Sequence, residues 1–289
     1  MISGVDHVVI LVEDIAAGTA AYRALLGLAP AWQSTRDGAE TVLFTLANSS
    51  VELMAPAGAG PTADRIRAVL AAQGEGLASL CFKVADIAAT HRRLERLGLQ
   101  PDAVATVASR DSLSGATLSW QSTRAAAALA GGVRLFFLEL AGARPASASI
   151  AVAPIVGLDH VVISTADPEA AAALYGARLG LDMALDRSHP DGGRLMFFRC
   201  GDLIVEVAHR ADKTPEKSRD RLYGVSWRVG DLDATRTRLI ESGLEVSEIR
   251  PGRKSGTRVL TLRSGSCGIP TLLVQPSPPR PQAAAVTKP

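Results

Sequence analysis

Two stretches of the chain set a histidine in the same apolar surroundings. Gly4-Val5-Asp6-His7-Val8-Val9-Ile10 returns as Gly157-Leu158-Asp159-His160-Val161-Val162-Ile163. Each reads as a short strand whose histidine shares a face with alternate apolar residues, His7 with Val9 and Leu11. One polar residue at one place in a repeated strand suggests a duplicated fold with a duplicated pocket. Three glutamates also stand inside apolar strands: Glu52 in Val51-Glu52-Leu53, Glu139 in Leu138-Glu139-Leu140 and Glu206 in Val205-Glu206-Val207. Arg110 with Gly115, and Arg253 with Gly256, occupy matching loop-to-strand positions. An arginine at a pocket rim can clamp a carboxylate or phosphate with two parallel bonds, although an exposed loop arginine is the commoner case.

The elements that must position these residues repeat as well. After the first strand, Glu13-Asp14-Ile15 opens a helix with acidic residues at its positive end, and Gly27 is a natural left-handed terminator. Strands follow around 31–35, 41–46 and 50–54, so the unit is βαβββ. A helix is expected through Ile66, Val69 and Leu70 before a second unit begins at Leu80-Cys81-Phe82, with strands at 116–121 and 135–140. His7 to His160, Asp14 to Asp167, Tyr22 to Tyr175 and Gly27 to Gly180 all differ by the same 153. Asp231, Leu239 and Gly243 lie 145 beyond Asp86, Leu94 and Gly98, which gives a fourth unit closing at 271–275. A constant offset over that many positions signals duplication. The expected organisation is an α+β protein with an N-terminal module over 1–142, a linker over 143–156, a C-terminal module over 157–276 and a disordered tail over 277–289.

The bulk numbers narrow the function classes. With 289 residues, 47% hydrophobic and 21% charged, the chain suits two ordinary globular domains. Lys plus Arg is 31 against 29 for Asp plus Glu, and aromatic content is 4%, so no basic or base-stacking surface for nucleic acid or anionic membrane stands out. No leader segment and no membrane-length apolar run is seen. Cys81, Cys200 and Cys267 are far apart with no CxxC, as buried reduced thiols of a cytoplasmic protein would be. The expected partner is a small molecule, and a homodimer stays open.

Four βαβββ units with an Asp-His-Val strand, an acidic helix start, a Gly-Leu helix exit and a Val-Glu-Leu strand resemble the vicinal oxygen chelate superfamily. That superfamily spans glyoxalase I, methylmalonyl-CoA epimerase, fosfomycin resistance enzymes, bleomycin-binding proteins and extradiol dioxygenases. The resemblance covers roughly residues 4–276, and Ser109-Arg110-Asp111 and Gly115-Ala116-Thr117-Leu118-Ser119-Trp120 liken the first half to glyoxalase-like proteins. It implies curved mixed sheets forming cup-shaped cavities, each built from two units, with metal ligands on the first and last strand of each unit.

Carried over by position, the first-strand places are His7, Ser79, His160 and Gly224, and the last-strand places are Glu52, Glu139, Glu206 and Gln275. Ser79 and Gly224 depart from the metal-binding pattern. Pairing units one and two joins His7, Glu52 and Glu139; pairing two and three joins His160, Glu206 and Glu139. The implied cofactor is a divalent ion (Zn, Ni, Co, Mn or Fe), with a metal-free cup equally open. The ion would act as a Lewis acid while Glu52, Glu139 or Glu206 moves a proton, and Arg110, Trp120 and Arg253 would contact substrate. The reading is a metal-dependent isomerase, epimerase or lyase acting on adjacent oxygens; a metal-free sequestering protein and an extradiol-type dioxygenase are the alternatives. A dioxygenase would need a second histidine, from His189 or His209. A one-residue slip in register would turn a glutamate from cavity to surface.

Overall fold

The computed structural model describes residues 1–210 and 219–277; the expected tail over 277–289 falls almost wholly outside them. The first half runs β1 (Ile2–Leu11), α1 (Ile15–Leu26), β2 (Trp32–Arg36), β3 (Ala39–Thr45), β4 (Ser50–Pro56), α2 (Pro61–Gln73), β5 (Gly76–Val84), α3 (Ile87–Arg96), β6 (Ala105–Arg110), β7 (Thr117–Arg124) and β8 (Leu135–Leu140). The second half runs β9 (Ile155–Thr165), α4 (Pro168–Ala172) continued by a π turn over Ala173–Arg178, β10 (Asp182–Ser188), β11 (Arg194–Cys200) and β12 (Leu203–His209). It continues with β13 (Arg221–Val229), α5 (Leu232–Glu241), β14 (Arg250–Pro251), β15 (Arg258–Leu262) and β16 (Thr271–Gln275).

The repeated aspartates explain why each unit turns from strand to helix at the same point. Asp14, Asp86, Asp167 and Asp231 each accept a hydrogen bond from the backbone N–H three residues on, the usual cap of a helix start. At the exit Gly27 adopts φ 68°, a left-handed value that glycine takes without strain.

Each half forms one eight-stranded sheet, in the orders β2-β3-β4-β1-β5-β8-β7-β6 and β10-β11-β12-β9-β13-β16-β15-β14. Unit one therefore pairs with unit two and unit three with unit four, through the antiparallel centres β1–β5 and β9–β13. The large core lies on the helix side of both sheets, where Val8, Ile10, Leu53, Phe82, Phe137, Val161, Ile163, Val205, Trp227 and Leu273 are buried. On the concave side of the first sheet a smaller cluster buries Val9, Leu11, Ala39, Cys81 and Leu138 against Ile66 and Leu70 of α2. Helix α2 thus covers part of the N-terminal cup.

Candidate functional site

Local chain geometry puts two acidic groups around each histidine. Val5 pairs with Phe82 and His7 with Cys81, which leaves Asp6 as the extra residue of a β-bulge. Leu158 pairs with Trp227 and His160 with Ser226, leaving Asp159 in the same position. A bulge re-aims side chains, and each aspartate here reaches its neighbouring imidazole: Nδ1 of His7 is 2.6 Å from Asp6, and Nδ1 of His160 is 3.0 Å from Asp159. An arginine holds each aspartate from the far side, Arg144 on Asp6 and Arg228 on Asp159. The other ring nitrogen faces a glutamate: Nε2 of His7 is 3.3 Å from Glu52, and Nε2 of His160 is 3.5 Å from Glu206. Both pairs join the first and last strands of a single unit.

The bulges also fix what stands opposite. Ala78 and Tyr223 are the extra residues on β5 and β13, mirroring Asp6 and Asp159 about a local two-fold axis at the Val8–Leu80 and Val161–Val225 pairs. That rotation carries His7 onto Ser79 and His160 onto Gly224. Glu52 is level with Val9, and its image is Phe136, level with Cys81. Glu206 is level with Val162, and its image is Leu272, level with Ser226. Glu139 does not join His7: it lies three residues past the matching place, on the helix side, where its carboxylate accepts the N–H of Ile87 at 2.7 Å. Gln275 does the same for Leu232. Each caps a helix start.

The ligands that the family resemblance requires are therefore present by halves. Each cup offers one imidazole and one carboxylate, and the two-fold images are Ser79 with Phe136 and Gly224 with Leu272. At Gly224 a Cβ would meet the carbonyl oxygen of Pro270 at 2.6 Å, so no side chain fits there without moving β16. Among the described residues no three His, Cys, Asp or Glu side chains converge as a metal set would, whereas a catalytic ion is ordinarily held by three protein ligands. The residues present do not fit a divalent ion. No second histidine completes either cup: His209 Nδ1 lies 3.1 Å from the Thr165 carbonyl, and His189 sits in the β10–β11 turn.

The two cups differ in electrostatics. Burial disfavours a charged His7, yet Cys81 beside it and the carboxylates of Asp6 and Glu52 raise it well above the usual imidazole range. Burial likewise would raise Glu52, but the His7 hydrogen bond and the charges of His7 and Arg144 outweigh it and hold the carboxyl low. Glu52 is locked in an ion pair. At Glu206 burial wins: the carboxyl is raised despite the opposing charges of His160 and Arg253. The cups also differ in access. In the N-terminal cup the lining residues Val9, Leu43 and Leu138 are buried, and Trp120 packs against that cluster. In the C-terminal cup Val162, Leu195, Phe197, Ile204 and Leu272 are only half-buried, and Leu185 is exposed.

Of the two rim arginines, Arg253 stands exposed at the C-terminal cup, where its charge acts on Glu206. Arg110 lies exposed at the end of β6, lining an open polar cleft of about 530 Å³ with Thr35 and residues 111–115. That cleft is distant from the histidine chemistry in its make-up. Its buried Asp111 accepts from the N–H groups of Gln33 and Ser114 and the Ser114 hydroxyl, tying β2 to the β6–β7 loop. Burial raises Cys81 against the opposing charge of His7, pushes Cys200 up to about 12, and with Glu75 pushes Cys267 to about 11. Among the described residues no helix is long and apolar enough to cross a membrane.

A family model described as "Glyoxalase-like domain" matches residues 5–156, and one described as "Glyoxalase/Bleomycin resistance protein/Dioxygenase superfamily" matches residues 159–261. The ethylmalonyl-CoA/methylmalonyl-CoA epimerase of Cereibacter sphaeroides is 39% identical over 101 residues, 34% of this chain and 73% of the relative. A mutant 4-hydroxymandelate synthase from Streptomyces coelicolor superposes with TM-score 0.69 at 13% identity, covering 95% of this chain and 92% of its own. BphC, a halotolerant catechol dioxygenase, gives 0.64 at 12% identity over 96% and 87%. At those identities the two structures speak for the fold alone. The chain belongs to the glyoxalase/bleomycin resistance protein/dioxygenase superfamily, as two glyoxalase-like modules in tandem.

Proposed function

We propose that the C-terminal cup is the working site and that it moves a proton on a small carbon acid without a protein-held metal, an isomerase-type reaction. The observation that carries this is the Glu206–His160 pair on a half-exposed concave face, with Leu272 where a second carboxylate would stand. One base on one side of the substrate can remove a proton from carbon and return it to a neighbouring atom of the same face. Inversion at carbon needs acid–base groups on both faces, and Leu272 offers none, so a proton shift is favoured over epimerisation.

In this reading Glu206 accepts the proton from carbon, since burial raises its carboxyl and so makes it a stronger base than an ordinary glutamate. With both ring nitrogens of His160 carrying protons, Nε2–H donates a hydrogen bond to the oxygen on which charge develops, while Nδ1–H donates to Asp159, which fixes the ring. Arg253 draws an anionic substituent to the cup mouth. His7 and Glu52 share the pattern but are locked as an ion pair, with the His7 ring more deeply buried than that of His160, so the N-terminal cup serves as scaffold.

The test is solvent deuterium uptake by a panel of carbon acids in D2O, including 2-oxo acids and, after the similar epimerase, methylmalonyl-CoA. The reading expects enzyme-dependent exchange in at least one member that withstands a chelator. Exchange that vanishes with chelator and returns with cobalt or manganese would replace it with the metal-dependent isomerase. A metal-free sequestering protein is the second reading, favoured by the half-complete ligand set; it expects tight binding with no exchange.

A further inference from the structure

The two cups are copies of one surface, and one of them is occupied by the protein itself. In the N-terminal cup the aliphatic side chains of Ile66 and Leu70, with Val69 beside them, lie against Val9, Leu11 and Ala39. They show what this concave face accepts: a compact, branched, apolar body. In the C-terminal cup the same face presents Val162, Leu195, Phe197, Ile204 and Leu272 only half-buried, and no described helix lies over it. A half-exposed apolar wall around a few polar groups is the make-up of a ligand site.

The polar groups define the rest of the ligand. Ser226, cross-strand from His160, is fully buried, and its hydroxyl has no hydrogen-bond partner. A buried hydroxyl without a partner carries a cost that an oxygen entering the cup can relieve. Arg253 lies near Glu206, and among the described residues it makes no ion pair with a carboxylate. Arg228, by contrast, is committed to Asp159 and Asp202. Arg253 is thus an exposed guanidinium whose charge reaches Glu206 at the edge of an apolar cup.

We infer that the ligand of the C-terminal cup is a monoanionic 2-oxo or 2-hydroxy carboxylic acid with a branched-alkyl or aryl body, its carboxylate on Arg253 and its apolar part on the wall that Ile66 and Leu70 fill in the sister cup. This rests on the reading of that cup as the working site and names its substrate class. A keto–enol shift in such an acid needs no co-reactant: the C–H bond beside the carbonyl breaks toward Glu206, its electron pair forms the C=C bond as the C=O pair moves onto oxygen, and Glu206 returns the proton to that oxygen.

The test is calorimetric titration of the full chain with 4-methyl-2-oxopentanoate and phenylpyruvate, against 4-methylpentan-2-one, inorganic pyrophosphate and methylmalonyl-CoA. The inference expects the two oxo acids to bind most tightly, with affinity falling at least about tenfold in Arg253→Gln and several-fold in Phe197→Ala. Both residues are exposed or half-buried, so the variants keep the fold. Arg110→Gln should bind as wild type, and Glu206→Gln should bind at least as well, because it removes a like charge. Preference for pyrophosphate or methylmalonyl-CoA, an unchanged Arg253→Gln, or no binding in any arm overturns the inference. Binding that holds while deuterium exchange is absent refutes the proton-transfer reading alone.

Discussion

At the scale of residues, two equivalent carboxylates are driven in opposite directions by their neighbours. Glu52 is held low by imidazolium and guanidinium charge, whereas burial raises Glu206 past what His160 and Arg253 can offset. A base works only when deprotonated, so exchange should rise with pH through an inflection above the ordinary glutamate range of about 4.3. The Arg253 charge holds Glu206 lower than burial alone would, so in Arg253→Gln the inflection should move further up in a kcat–pH profile. An inflection at or below the ordinary range would contradict the assignment of Glu206 as the base. His7, Glu52, His160 and Glu206 were legible because each is a polar side chain set at the same place of a repeated, otherwise largely apolar strand. Glu139 imitated them: Leu138-Glu139-Leu140 has the same pattern as Val51-Glu52-Leu53. Only pairing across the sheet shows that Phe136 is the image of Glu52 and that Glu139 caps a helix.

At the scale of elements, the sequence carried the helices and central strands through their caps and periodicity, and the 153-residue offset carried the duplication. Strand β6, Ala105–Arg110, was not foreseen, because small and polar residues give it neither alternation nor an apolar run. The bulges at Asp6, Ala78, Asp159 and Tyr223 were equally hidden, since a bulge is defined by the partner strand and not by its own residues. Helix α2 was expected, but its seat in the cup was not. That seat gives a test of which cup is filled. Ile66 is buried, so Ile66→Ala should cost about 2–4 kcal/mol in denaturant unfolding. Ile204 on the open wall is half-buried, so Ile204→Ala should cost about 1 kcal/mol or less. Equal costs would show that both cups are packed alike.

At the scale of the molecule, the modules are fastened by side chains that cap helices across the boundary. Arg238 on α5 donates to the carbonyls of Ala24 and Leu25 at the end of α1, and Arg178 donates to Leu97 after α3. Asn48 exchanges two hydrogen bonds with the Leu158 backbone, at 2.8 and 2.9 Å, and a Cβ on Gly157 would meet its oxygen at 2.6 Å. These bonds tie the N-terminal module to the strand that carries His160. Arg238→Ala strands two carbonyls and should lower stability by about 2–3 kcal/mol, read as a lower Tm in a single calorimetric transition. Two separated transitions in the wild type would mean that the modules unfold independently. Nothing in the sequence announced these contacts, because they join residues some 110 and 213 apart in the chain.

The central claim is that one cup works and its twin does not, although both hold a histidine against a glutamate. It is tested most directly by measuring deuterium exchange in Glu206→Gln and Glu52→Gln side by side, on the same substrate and under the same conditions. The account predicts a loss of at least about a hundredfold in Glu206→Gln, the scale of a removed general base, and near wild-type exchange in a folded Glu52→Gln. Exchange that survives Glu206→Gln, or that is abolished by Glu52→Gln in a protein of unchanged Tm, would contradict it.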